Sequence, residues 1–293
     1  MTIYSENEKF TAPNEDIESR VEQIIDELTL EEKITLLGGH QSGRRTQEIP
    51  GKVPHFKMAD GPVGVHWWCD KSTAYPALIA LASTWDRETA RLMGHGLGLD
   101  CRARGVHILL APGVNIYRSP LCGRNFEYMG EDPFLASQLV VPWVHGVQAH
   151  RVATTVKHYA VNFQEYDRHG VSSDADERTL REVYLPAFRA AIVEAGSGCI
   201  MTGYNLVNGQ HCSENEFLNN VVLKGDWAFN GVVMSDWTSV YSDVGPANFG
   251  LDLEMPHAQY MTVENLVPAV ENGLVTEETI NDKVRRMLRL AAS

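Results

Sequence analysis

The chain has 293 residues, 44% hydrophobic and 22% charged, which is the composition of a globular protein and excludes a disordered one. The net charge of −13 disfavours nucleic-acid partners. No apolar run reaches the ~18 residues of a membrane span. The N-terminal stretch MTIYSENEKFTAPNEDIES is polar and lacks the apolar core of a signal peptide, so the expected location is cytoplasmic. Five cysteines, Cys69, Cys101, Cys122, Cys199 and Cys212, are odd in number and widely spaced, against both a disulfide framework and a zinc site. The eleven histidines show no paired ligand spacing, so no metal and no cofactor is expected.

In chain order, residues 14–37 open with a helix. Ile17, Val21, Ile24, Ile25 and Leu28 follow the three-four spacing of one buried face. Thr29 and Glu32 fit a capping box for a second, short helix. Strands are expected at FKMAD (56–60), ALIALAS (77–83), VHILLAP (106–112), ATTVKHYA (153–160), GCIMTGYN (198–205), GVVMSDW (231–237) and GLDLEM (250–255). Helices are expected at 87–103, at 134–149 with an interruption at Pro142, and at 177–195, 216–229 and 277–291. The glycines of GHGLGLD (94–100) match neither a Walker loop nor a dinucleotide fingerprint and read as close helix packing. No linker or repeat divides the chain. Alternating strands and helices predict an α/β fold with parallel strands and helices outside. From the pattern alone, an open doubly wound sheet and a closed (β/α)8 barrel both stand. Seven strands are counted, and the eighth has no clear place.

The strands share one feature: each runs apolar and finishes on polar or special residues. These are Asp60-Gly61-Pro62, Pro112 to Asn115, Lys157-His158, Tyr204-Asn205, Asp236-Trp237 and Glu254. In a parallel barrel all strand C-termini meet at one face, which holds the active site. The plain alternative is that these residues only begin solvated loops. Carboxylates, cations (Lys157, Arg124, Arg168), a histidine, a tyrosine and the tryptophans Trp237, Trp67 and Trp68 suit a hydroxyl-rich ring with an apolar face, that is, a sugar.

The segments MADGPVGV (58–65), GRNFEYMGEDP (123–133), TTVKHYAVNFQE (154–165), ERTLREVYLPAF (177–188), GYNLVNG (203–209), GVVMSDW (231–237) and GLDLEMP (250–256) occur in order over about residues 15–290. In these the chain resembles glycoside hydrolase family 3. The resemblance implies a (β/α)8 TIM-type barrel and retaining cleavage of β-linked glucosides through a covalent intermediate. It puts the nucleophile on Asp236. It puts sugar-binding positions on Asp60, Arg124, Lys157, His158, Met201, Tyr204 and Trp237, and a supporting shell on Glu127, Asn162, Glu165 and Arg168. Nearby cations are expected to keep Asp236 ionised.

Retaining cleavage needs a second carboxyl group as acid and then base. In most of the family that group comes from a C-terminal α/β sandwich domain. Residues 1–293 read as one barrel domain without it, so the acid/base is expected from a further domain or a partner chain. A subgroup uses an Asp-His pair in a barrel loop, and here His169 and Asp174 occupy that loop. The family often has arginine after DGPxGV, where this chain has His66, Trp67 and Trp68. The alternative reading is a sugar-binding barrel without turnover.

Overall fold

The computed structural model describes residues 15–68 and 70–292. Cys69 and the first residues of the polar N-terminal stretch, including the expected helix start at residue 14, lie outside them.

Five parallel strands form the main sheet: β1 (Met58–Asp60), β2 (Ile108–Leu110), β3 (Ala153–Tyr159), β5 (Cys199–Thr202) and β8 (Val232–Met234), in spatial order of sequence. Met58 pairs with Ile108, Ile108 with Ala153, Thr155 with Cys199, and Cys199 with Val232. Single bridges continue the pairing past both edges. Met234 bridges Leu253, Glu254 bridges Gly38, Gly39 bridges Thr46, and Arg45 bridges Lys57, beside the start of β1. Short segments, two of them antiparallel, thus bridge the gap between β8 and β1 in the manner of a TIM-type barrel. The place that the sequence left without a strand is filled by the turn over residues 38–46.

Burial explains the ring. Along each strand, alternate residues enter two different cores, as the period of two requires. Met58, Ile108, Leu110, Cys199, Met201, Val232, Met234 and Leu253 pack together inside the barrel. Ala59, Leu109, Val156, Ile200 and Val233 face outward under the helices. Both faces are apolar, so the strands read as continuous hydrophobic runs.

The helical layer begins with α1 (Glu15–Glu27) and α2 (Leu30–Thr35); the Thr29–Glu32 capping box is present. Residues 77–83 form no strand: α3 occupies Leu78–Ala82. Leucine and alanine are strong helix formers, and a short apolar run carries no period that separates helix from strand. Next come α4 (Arg87–Ala103) and α5 (Pro133–Gln148), which runs unbroken through Pro142. Gly94 lets these two helices touch, since a Cβ there would lie 2.1 Å from the Trp143 carbonyl oxygen.

Over 177–194 the expected single helix is broken into α6 (Glu177–Thr179), α7 (Pro186–Arg189) and two π-helical turns. Pro186 has no N–H to give, and the Leu185 amide reaches back five residues to the Leu180 carbonyl. The helix expected at 216–229 is likewise π-helical over Phe217–Asp226. A small sheet of β4 (Ser172–Ser173), β6 (Leu206–Val207) and β7 (Gln210–His211) flanks the barrel. α8 (Val244–Asn248), α9 (Val263–Glu271) and α10 (Glu277–Ala292) close the chain.

The expected strand at 250–255 shrinks to the two bridges. Carboxylates there take backbone donors in place of a ladder: Asp252 accepts the Val233 N–H, and Glu254 accepts from Gln259, Tyr260 and Met261. The four described cysteines are buried free thiols. No described helix is long and apolar enough to cross a membrane.

Candidate active site

Asp236 sits two residues beyond β8 and is 6% exposed. Its Oδ1 accepts the Trp237 backbone N–H at 2.7 Å. Its Oδ2 is buried and has no partner at hydrogen-bond geometry. The Arg124 guanidinium lies 3.8 Å from Oδ2, and the His158 Nε2 lies 3.4 Å from it. Burial raises the carboxyl above the ordinary aspartate range. The charges of Arg124 and Lys157, the Trp237 amide and the Tyr204 hydroxyl pull the other way without cancelling it. The cations expected to favour the ionised form do act on this group, but desolvation at the strand mouth is the larger influence.

Asp60, at the end of β1, accepts a hydrogen bond from Lys157 at 2.8 Å. Burial opposes its charge, but Lys157, His66 and Arg124 hold the carboxyl below its ordinary value. Lys157 and His158 are neighbours near the end of β3, both buried. Lys157 also lies 3.3 Å from Glu127, which takes two hydrogen bonds from Arg124 in a fork. Asp60, Lys157, Glu127, Arg124 and Asp236 thus form one chain of alternating charge around the mouth.

His158 is neutral, and its tautomer follows from its partners. Arg124 can only donate, so His158 Nε2 accepts from it at 2.7 Å. The proton then sits on Nδ1, 3.0 Å from the Tyr128 hydroxyl. Burial, then Arg124, Lys157 and Arg168, push the imidazole well below its usual range. Asn115, just past β2, clamps the His158 backbone, accepting its N–H at 2.7 Å and donating to its carbonyl at 2.9 Å.

The remaining predicted residues line the same end of the barrel. Met201 lies on the inner face of β5, level with Met234. Tyr204 lies beyond β5. Burial and the Asp236 charge raise its phenol above the ordinary range, so it stays a proton donor. Arg168 stacks over the Tyr204 ring at 3.9 Å and pairs with Glu165 at 2.8 Å. Asn162 is 1% exposed, and neither polar atom of its side chain finds a protein partner. His169 pairs with Tyr241 at 2.8 Å, whereas Asp174 takes the Ser172 hydroxyl, so the two do not form the loop pair.

The functional role of Asn115 and Tyr128 is not visible in the sequence alone. Tyr128 stands inside a quoted motif, and Asn115 ends a strand run, but the partner that gives both a purpose, His158, is decided by the fold.

Fold and site together define a class: a parallel α/β barrel whose strand ends gather charged groups around one buried carboxylate. The chain belongs to glycosyl hydrolase family 3; the model of that family's N terminal domain matches residues 18–290. The chain is 44% identical to beta-glucosidase B of Emericella nidulans over 94% of its own length and 33% of that protein's. It is 41% identical to thermostable beta-glucosidase B of Acetivibrio thermocellus, covering 92% of this chain and 37% of the other. Among solved structures, beta-glucosidase 3B from Thermotoga neapolitana in complex with glucose superposes with a TM-score of 0.87 at 37% identity. That match covers 93% of this chain and 42% of the other. The chain thus spans about a third of the curated relatives it matches.

Proposed function

We propose that this barrel binds a β-glucoside and that Asp236 attacks its anomeric carbon in a retaining hydrolysis. The relatives are named as β-glucosidases, and one neighbour is described with glucose. The observation that carries the reading is the state of Asp236: a buried carboxylate oxygen, Oδ2, without a hydrogen-bond partner, at the mouth of a parallel strand, 3.8 Å from a guanidinium. Oδ1 is anchored on the Trp237 amide, which leaves Oδ2 to form the bond to C1. Asp60, Lys157 and Arg124 supply the acceptor and donors that sugar hydroxyls need, and contacts that tighten as the ring flattens lower the barrier.

The acid/base lies outside this set. A general acid must hold a proton, and Asp60, Glu127 and Glu165 are each engaged with a cation. A carboxyl group from a further domain or a partner chain protonates the leaving oxygen. It then deprotonates the water that releases the sugar with retained configuration. The same ion pairing favours, as second reading, a sugar-binding barrel without turnover.

Incubation with the 2,4-dinitrophenyl glycoside of 2-deoxy-2-fluoro-β-glucose tests the assignment, because that leaving group needs no acid. The expected result is a mass increase of one fluoroglucosyl group on the peptide that holds Asp236. Label on another carboxylate overturns the assignment, and binding of a β-thioglucoside without any label establishes the second reading.

A further inference from the structure

A second group of charges, none of them part of the sugar site, lies where α10 meets the π-helical segment Phe217–Asp226 and the chain after β8. A cavity of about 280 Å³ opens there, lined by Asn220, Lys224, Asn248, Thr279, Asp282 and Lys283 among others. Most of the charge around it is paired. Asp252, fully buried, takes Lys224 on Oδ1 at 2.6 Å and the Val233 N–H on Oδ2 at 2.9 Å. Asp282 takes Arg286 at 2.9 Å, with Lys224 3.8 Å away. Glu278, mostly exposed, takes Arg285 at 3.2 Å.

Lys283 is the exception. It is buried, and among the described residues its hydrogen bonding is limited to the Leu251 carbonyl at 2.7 Å. Asp252 stands 4.0 Å off with both oxygens already engaged. An ammonium has three donors, so two of its N–H groups lack an acceptor. The charge inventory agrees. Lys224, Lys283 and Arg286 face Asp252 and Asp282, while Glu278 is offset by Arg285, which leaves one positive charge in excess. An uncompensated buried charge is costly, and two events relieve it. Lys283 can release its proton: burial first and the Lys224 charge next push its amine down to about 7. Alternatively, one negative charge can enter the cavity.

The lining suits such a guest. The side-chain amides of Asn220 and Asn248 give one hydrogen bond each, to the Asn248 and Leu274 carbonyls, and keep a second N–H. The first turn of α10 borders the cavity through Thr279, and its dipole favours an anion. The volume is several times the ~30 Å³ share of one water, so a lone halide leaves most of it unfilled. A carboxylate with a short carbon tail fills it along the lysine stems. A phosphate dianion exceeds the single charge required and is repelled by Asp252 and Asp282.

We propose that this cavity binds a small monocarboxylate, held by the ammonium of Lys283 with Lys224 and the Asn220 and Asn248 amides around it. The carboxylate and a proton enter together, so the charge group is balanced both empty and filled. The groups that face the amine are Lys224 from the π-helical segment, Asp252 from the chain after β8, and Asp282 and Arg286 from α10 itself. This site stands apart from the glucoside reading, and failure of either leaves the other intact.

Urea unfolding at 25 °C in sodium propionate, compared with sodium chloride at the same ionic strength, tests it. Propionate is expected to stabilise the wild type beyond chloride at pH 6–7. The apparent Kd drawn from that gain is expected to weaken ~10-fold between pH 8 and pH 9, because binding there must also take up a proton. Lys283→Met removes the ammonium, and Thr279→Met keeps it but fills the cavity from its lining; both are expected to lose the propionate effect. A gain that survives in either variant places propionate elsewhere, at the sugar site's own cations for example, and overturns the proposal. A gain of equal size at every pH overturns it too, as does chloride or inorganic phosphate acting as strongly as propionate, or no gain in the wild type.

Discussion

The carboxylate proposed as nucleophile lies where burial resists its charge. Asp236 is held above the ordinary aspartate range by desolvation, and Arg124 and Lys157 limit the rise. For a nucleophile the sign is direct. In the proposed role, protonation of Oδ2 would remove the attacking lone pair, so activity is expected to fall as pH drops through the raised value. The acid limb of kcat/KM with an activated aryl β-glucoside is therefore expected at a pH above the ~3.9 of a free aspartate. A limb at or below that value would show that the cations prevail over burial. His158 has a separate part. Its Nε2 lone pair is occupied by Arg124, so it has no proton to offer Asp236 and serves to orient the guanidinium. Asp60, Lys157, His158, Tyr204 and Asp236 were legible in the sequence because they end apolar strands, whereas Glu127, Asn162, Glu165 and Met201 were singled out by the family resemblance. Their protonation states were not, since these depend on Tyr128, Asn115 and Arg124 arriving from other segments.

Elements were legible where periodicity and end signals agreed. The helix expected at 87–103 has those bounds, with Asp86 as its N-cap, because the amphipathic face and the cap are both local features. Elements were misread where the run was too short to show a period, as at Leu78–Ala82, and where the helix departs from regular α geometry, as in the π-helical turns around Pro186. The glycines of α4 are an informative case. Gly94 faces the Trp143 carbonyl and Gly98 the Val147 carbonyl and His150, so the sequence reading of close helix packing holds at both. Gly94→Ala is expected to cost about 1–3 kcal/mol, towards the upper end, because the clash is with backbone and a helix must move. Denaturant unfolding measures it, and a cost below about 0.5 kcal/mol would mean that α4 and α5 separate freely.

At the scale of the whole molecule, the closing helix α10 carries a charge into the core. Lys283 is 2% exposed and donates to the Leu251 carbonyl at 2.7 Å. Burial, then the nearby Lys224 charge, push its amine down to about 7, against the pull of Asp252 and Asp282; Arg286 adds to the repulsion. Below that pH the folded protein carries the whole cost of burying the ammonium. Between there and the ordinary lysine value of ~10.4 only the unfolded chain takes the proton, so this group's contribution to stability improves as pH rises. Lys283→Met is accordingly expected to be more stable than the wild type at pH 6. The gain is about 1–3 kcal/mol after the lost hydrogen bond is counted, and it shrinks towards pH 10. Thermal unfolding across pH checks this; a loss of stability that is the same at every pH would show that the hydrogen bond outweighs the charge.

The sequence by itself determined that the strands are parallel and covered on both faces, and that they end on polar residues of a kind that suits a sugar. Those properties are written in strand-length apolar runs and in the residue that follows each one. Only the tertiary structure decided how the ring closes. The bridges at 38–39, 45–46 and 253–254 pair segments too short to have a period of their own. It likewise decided that Asp236 is buried with one oxygen unpartnered, and that Trp67 meets Trp237. Burial and ring contact arise between residues far apart in the chain, and no local pattern encodes a distance between them.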